Sequence, residues 1–306
     1  MSRTSKDKDE PTTEGAESVF DAPARQLLRA RRPDGAPVGP ADVDPRSTPG
    51  FTGDKVEGKA ALAARADRLA ALQELLYARS TREAPDGSPA PSVLLVVQAM
   101  DTAGKGGIMR HVIGQMDPQG VDLKAFKAPT AEEREHDFLW RIRPHVPGPG
   151  RIAVFDRSHY EDVLIQRVRG FAPAEEIERR YGVIRDFEAE LAAAGTRVVK
   201  VMLHISADEQ KARLAERLER PDKHWKFNPA DIDERALWEE YQEAYRIALL
   251  RTDATDAPWF VVPADRKWYA RLAVQQLLLE TLEGLELEWP EADFDVEEQK
   301  ARLAAS

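Results

Sequence analysis

Cysteine is absent from the 306 residues, which removes disulfides, thiolate metal sites and cysteine nucleophiles from consideration. No apolar run approaches the ~18 residues that a bilayer-spanning helix needs, and residues 1–10 are too polar to act as a secretory signal. His136, His145, His159 and His204 show no H-x-x-x-H spacing, so no zinc site is expected. No internal repeat is evident, and a solenoid is set aside. Positive charge is also short: the net charge is −10, which argues against a whole surface that attracts polyanions such as nucleic acids. These absences leave a protein that is expected to be cytoplasmic, with no membrane and no nucleic-acid partner.

Against that background one segment stands out, Gln98-Ala-Met-Asp-Thr-Ala-Gly-Lys-Gly-Gly107. Residues 92–98 before it are apolar and β-branched, as a buried strand requires, and 105–115 after it have helical spacing. Strand, glycine-bearing turn and helix is the context in which backbone N–H groups and a helix N-terminus meet phosphate oxygens. The ordinary pattern G-x-x-x-x-G-K-[ST] is altered in two places. Ala99 replaces the first Gly, and Gly106 stands where a Ser or Thr hydroxyl would hold Mg²⁺. Asp101, inside the loop, is the natural replacement ligand. Lys105 at a helix start is opposed by the helix dipole unless an anion sits there. Ala103, Gly104, Gly106 and Gly107 are the loop positions expected to approach phosphate, and Arg110, one turn on, is a further candidate.

A second acid follows about fifty residues later in Gly150-Arg-Ile-Ala-Val-Phe-Asp-Arg-Ser-His-Tyr160. This is again an apolar strand ending in a carboxylate, Asp156, followed by Arg157. Ligands of open α/β sheets gather beyond the carboxyl ends of the strands. Asp101 and Asp156 are therefore expected in one crevice as metal ligands, with Lys105 and Arg157 balancing phosphate charge.

The strand candidates 92–98, 122–127, 151–155, 197–205 and 258–262 alternate with helix candidates 105–115, 131–142, 159–168, 173–194, 206–219, 230–250 and 267–283. Such alternation predicts a parallel sheet covered on both faces. Residues 58–79 have the spacing of an amphipathic helix. Residues 1–54, rich in small and polar groups, are expected to be largely disordered, although 26–32 can form a short helix or dock on the core. Residues 84–91 read as a loop, and 293–306 as a tail.

Local charge answers the acidic total. Between 211 and 226 lie Lys211, Arg213, Arg217, Arg220, Lys223 and Lys226 against only Glu216, Glu219 and Asp222. Arg213 and Arg217, four apart on one helix face, together with Lys223 and Lys226 around Trp225, form a cationic strip. The prolines and Trp225 after it read as the turn of a lid at about 207–235, which would close over phosphates and exclude water. Lys127 is a further candidate for phosphate or acceptor contact.

Taken in order, these motifs, with Met116-Asp-Pro-Gln-Gly-Val-Asp122, Phe126-Lys-Ala-Pro-Thr130, His136-Asp-Phe-Leu-Trp-Arg141, Phe155-Asp-Arg-Ser-His-Tyr-Glu-Asp-Val163 and Lys223-His-Trp-Lys226, resemble the family-2 polyphosphate kinases over about residues 55–290. The likeness is strongest to the class III branch, with a departure at Gly106, where class III members often carry an acid. The resemblance implies an α/β P-loop kinase, a three-layer α/β/α sandwich with a five-stranded parallel sheet and a helical lid, in a domain spanning 55–292. It implies Mg²⁺-dependent (Mn²⁺ as the alternative ion) phosphoryl transfer between inorganic polyphosphate and nucleoside mono- or diphosphates, by a dimer or tetramer. The rivals are an ATP-dependent nucleoside monophosphate kinase resembling thymidylate kinase, and a protein that binds such ligands without turnover.

Overall fold

The computed structural model describes residues 19–82 and 87–306. In chain order its helices are α1 (Ala24–Leu27), α2 (Lys55–Ala64), α3 (Ala66–Arg79), α4 (Lys105–His111), α5 (Ile165–Val168), α6 (Ala174–Ala193), α7 (Ala207–Glu219), α8 (Ala230–Arg235), α9 (Trp238–Thr252), α10 (Lys267–Glu283) and α11 (Val296–Ala304). The strands are β1 (Ser92–Ala99), β2 (Val121–Ala125), β3 (Ile152–Asp156), β4 (Thr196–His204) and β5 (Trp259–Pro263).

The strands form one parallel sheet in the order β2-β3-β1-β4-β5. Every residue of β1 is buried, because α3, α4 and α10 cover one face and α5, α6 and α9 the other. A strand covered twice must be apolar throughout rather than alternating, which is why β1, β3 and β5 were plain in the sequence. In the register, Val97 lies opposite Asp156. The segments leaving β1 and β3 at their carboxyl ends thus start side by side, and Asp101 and Asp156 share the crevice there.

Several expected elements differ. The 131–142 stretch is not a helix. Thr130 and Glu133 close a reciprocal capping box on a single 3₁₀ turn, Glu133–Glu135. The Asp137 carboxylate then captures the Leu139 N–H, a local bond that competes with helical continuation. The 159–168 candidate is a 3₁₀ turn, His159–Asp162, capped by Ser158, followed by α5. The 230–250 candidate divides into α8 and α9.

The first part of the chain also departs from expectation. Residues 1–18, and 83–86 of the 84–91 loop and the residue before it, lie outside the described residues. Residues 19–54, expected to lack order, are packed on the fold. Phe20, Ala24, Leu28, Ala30 and Phe51 are buried. The Ala24 and Arg25 N–H groups donate to the Glu280 carboxylate at 2.7 and 2.9 Å. The Ala30 N–H donates to Trp259 O and Leu28 O accepts from Val261 N–H, so this arm covers the open edge of β5, which would otherwise expose unpaired backbone. Sparse apolar residues suffice because each lands on an existing core.

Candidate active site

The loop between β1 and α4 is shaped by two left-handed residues, Thr102 with φ +66° and Gly104 with φ +126°. Gly104 meets the second at no steric cost; Thr102 does so only under the constraint of its surroundings. A Cβ at Gly104 or Gly106 would meet nothing within 4 Å, so both face open space at the start of α4. The Ala103 N–H is spent on Met100 O and the Gly107 N–H on Gly104 O; these two amides hold the turn rather than a ligand.

Lys105 curls back over the loop and its Nζ donates to Ala99 O at 3.1 Å. Burial holds its pKa below the usual lysine value, the Arg157 charge adds to this, and Asp101 and Asp156 oppose it. Arg157 follows the end of β3 in a left-handed conformation, φ +63°. Its Nη2 donates to Asp101 Oδ1 at 2.9 Å. Burial disfavours the Arg157 charge, but Glu161 and Asp101 more than offset it and hold the guanidinium above its ordinary value. Behind the pair, the Gln98 amide donates to Glu161 at 3.0 Å and accepts from Ser158 in the orientation that satisfies both its ends. Burial raises the Glu161 pKa, with Arg157 and Lys105 opposing. Thr102 Oγ1 is buried without a partner.

Asp101, Thr102, Gly104, Lys105, Gly106, Asp156 and Arg157 line one cleft of about 780 Å³. Asp101, Ala103, Gly104, Lys105 and Gly106 line its floor, with Asp156 and Arg157 from β3. Gly107 and Arg110 continue along α4, and Lys127 stands beyond β2. From the lid come Arg217, Lys223 and Lys226. Arg217 also bonds Lys226 O at 3.0 Å and approaches Asp231 at 3.3 Å. Lys226 lies 4.8 Å from the Trp225 ring centroid.

Arg213, read from sequence as a phosphate contact, borders the same cleft but has a different part. Its side chain is 4% exposed. Nη1 donates to Thr102 O and Ala103 O, Nη2 to Ala264 O and Asp265 O, and Nε to Glu209. No N–H remains for a phosphate. Arg213 clamps the loop after β1 to the turn after β5, and Gln210 adds a bond to Asp101 O at 3.2 Å. The start of the lid is therefore fastened to the loop that it covers.

Sequence reasoning missed Lys267 and Arg271, which line the cleft from the first turns of α10. The signal was present: two cations four residues apart, directly after a strand whose carboxyl end faces the crevice.

Asp101 and Asp156 offer two carboxylates, and no cluster of three or more metal-ligating side chains occurs among the described residues. That donor set suits an ion held by one or two carboxylates and completed by substrate phosphates and water, as Mg²⁺ commonly is.

A five-stranded parallel sheet with a phosphate-type loop, a basic lid and a two-carboxylate crevice defines a P-loop phosphotransferase. The model of the polyphosphate kinase 2 family matches residues 53–289, and the chain belongs to that family. It is 45% identical to an AMP/ADP-polyphosphate phosphotransferase of Meiothermus ruber, over 82% of this chain and 90% of that one. It is 44% identical to an ADP-polyphosphate phosphotransferase of Rhodopseudomonas palustris, over 82% and 86%. Among solved structures, polyphosphate kinase 2 from Arthrobacter aurescens TC1 superposes with a TM-score of 0.88 at 56% identity, covering 94% of this chain and 98% of that one.

Proposed function

We propose that this protein transfers phosphoryl groups between inorganic polyphosphate and nucleoside mono- and diphosphates, with Mg²⁺ as the metal. The observation that carries the reading is the charge layout of the cleft. Cations reach it from α4, the lid and α10, while Asp101 and Asp156 lie together at its floor beside Lys105. A long polyanion needs distributed positive charge, and the reacting end needs metal-binding carboxylates. Asp101 and Asp156 would hold Mg²⁺, which would supply neutralisation of the charge that builds up during transfer.

The protein groups then have separable tasks. Lys105 and the open start of α4 hold the terminal phosphates. Arg157, released from Asp101 when phosphate arrives, stabilises charge on the moving phosphoryl group. Arg217, Lys223 and Lys226 hold the chain as the lid excludes water. The acceptor phosphate oxygen is already ionised near neutral pH, so no strong general base is required. Action on both AMP and ADP, in the manner of the class III branch, belongs to the same reading, as do a homo-oligomeric state (dimer or tetramer) and a cytoplasmic location. No described helix is long and apolar enough to cross a membrane.

The test is incubation with Mg²⁺ and long-chain polyphosphate, without ATP, and with AMP, ADP or GDP supplied separately. Chromatography should show ADP and then ATP from AMP, and GTP from GDP. Transfer from ATP to a monophosphate, with none from polyphosphate, would transfer the case to a nucleoside monophosphate kinase.

A further inference from the structure

Asp265 stands in the turn between β5 and α10 with its side chain only 3% exposed. The described lining of the cleft includes Lys267 and Arg271 from the start of α10, but not Asp265. Its carboxylate faces protein instead. Oδ1 accepts from the Ser206 N–H at 2.8 Å, and Oδ2 accepts from the Ser206 hydroxyl at 2.7 Å. Ser206 is the N-cap of α7, and its Oγ accepts from the Glu209 N–H at 3.2 Å. Capping needs only that hydroxyl. The two bonds from Asp265 go further and fix where the cap sits.

Helix spacing shows what depends on the cap. Gln210, Arg213 and Arg217 come four, seven and eleven residues after Ser206, on one face of α7. Gln210 bonds Asp101 O, Arg213 holds Thr102 O and Ala103 O, and Arg217 reaches the cleft. A turn of α7 about its axis would therefore move the loop after β1 and a lid cation together. Asp265 attaches this row at two places. Its carboxylate holds Ser206, and its carbonyl oxygen accepts from Arg213 Nη2 at 2.8 Å. Two attachments from one residue oppose that rotation.

The arm that covers the edge of β5 holds the same residue. The Asp265 N–H donates to Pro45 O at 3.0 Å, and Arg46 Nε donates to Asp265 Oδ2 at 3.3 Å. No described residue of the arm lines the cleft, so its route to the site runs through Asp265.

We propose that Asp265 is a positioning residue for phosphoryl transfer, which sets the rotation of α7 and with it the alignment of the phosphate loop and Arg217. The assignment rests on the polyphosphate reading of the cleft and adds a residue that acts without touching substrate.

The test measures kcat and KM with ADP and long-chain polyphosphate, well below the unfolding temperature. The proteins are the wild type, Asp265→Asn, Ser206→Ala, their double variant, Ser206→Thr and Arg46→Ala. Asp265→Asn and Ser206→Ala should each lower kcat about tenfold, as misalignment of reacting groups does, with KM for both substrates near the wild-type value. The double variant should lose no more than either single one, because both cut the same link. Ser206→Thr, which retains the hydroxyl, should keep most of the wild-type kcat. Arg46→Ala removes an exposed ion pair of little weight in stability, so it should fold normally and lower kcat about threefold. Wild-type kcat in Asp265→Asn, or single losses that multiply in the double variant, would overturn the assignment. Should Asp265→Asn fail to fold, unchanged kcat in Ser206→Ala and Arg46→Ala would overturn it equally. A wild type that moves no phosphate from polyphosphate would instead remove the reading of the cleft itself.

Discussion

Lys105 and Lys200 show how the same residue type does opposite work on two sides of one sheet. Lys200, on β4, has no exposed side-chain surface. Its Nζ donates to Glu188, to Tyr160 Oη at 3.0 Å and to Thr252 O at 2.8 Å. All three protons are placed, and Glu188 further accepts from Tyr160 at 2.8 Å. Lys105 donates only to Ala99 O, and two of the charges near it belong to proposed metal ligands. One lysine is satisfied by the fold; the other is left for a ligand. Arg213 and Arg271 repeat the contrast within the cleft itself. In each pair the member whose donors are satisfied is also the more buried: Lys200 and Arg213 are buried, Lys105 and Arg271 only partly so.

The sharpest way to break the comparison is to exchange each lysine for Met. Lys105→Met should lower kcat/KM by about a thousandfold, the cost of removing one preorganised donor to transition-state charge, with thermal stability unchanged or slightly raised. Lys105 bonds only the Ala99 carbonyl and leaves no buried carboxylate stranded, so its loss does not unfold the chain. Lys200→Met should do the reverse. It strands the buried Glu188 carboxylate and should cost about 3–5 kcal/mol in denaturant melts. Equal losses of stability in the two variants would show that satisfied donors are the wrong criterion.

Arg213 sharpens the contrast at a smaller scale. Arg213→Lys keeps the charge but cannot reach four carbonyls and Glu209 together. The loop after β1 should loosen, and misplacement on the order of 1 Å should reduce kcat up to about a hundredfold, with KM for polyphosphate little changed. A raised KM with normal kcat would mean that Arg213 holds the chain directly, as its place in the basic strip had suggested.

That reversal marks where the sequence was legible and where it was not. The strands were readable because helices on both sides demand unbroken apolar runs, as in β1, and the crevice followed because Asp101 lies in the loop after β1 and Asp156 ends β3. Lys105 was readable because a cation at a helix start needs an anion. Arg213 was misread because nothing in a helix pattern says that Thr102, Ala103, Ala264 and Asp265 will turn four carbonyls towards one side chain. Arg271 was overlooked for the converse reason: in the sequence it is one polar position in the helix candidate 267–283, and only the chain's path places it against Gly107. The 131–142 segment failed through local chemistry, since helix-like spacing does not reveal that Asp137 caps Leu139. The arm at 19–54 failed because low apolar content predicts disorder only when the segment has no core to join.

The smallest effect concerns a carboxylate that sits between the two cases, partly satisfied. Asp162 lies 3.7 Å from Arg141 and 3.6 Å from Arg180, yet its Oδ2 has no hydrogen-bond partner. Burial pushes its pKa up to about 6, against the pull of both arginines. The sign follows from proton counting. Between pH 4 and 6 the folded protein holds this proton and the unfolded chain does not, so the contribution to stability is present at low pH and is lost as pH rises through 6. The shift corresponds to about 3 kcal/mol, spread at about 1.4 kcal/mol per pH unit. Asp162→Asn carries no proton to lose. Its unfolding free energy, measured beside that of the wild type from pH 4 to 7, should gain on the wild type as pH rises. If the wild type gains instead, the two arginines outweigh burial, and Asp162 belongs with Lys200 among the groups that the fold has fully satisfied.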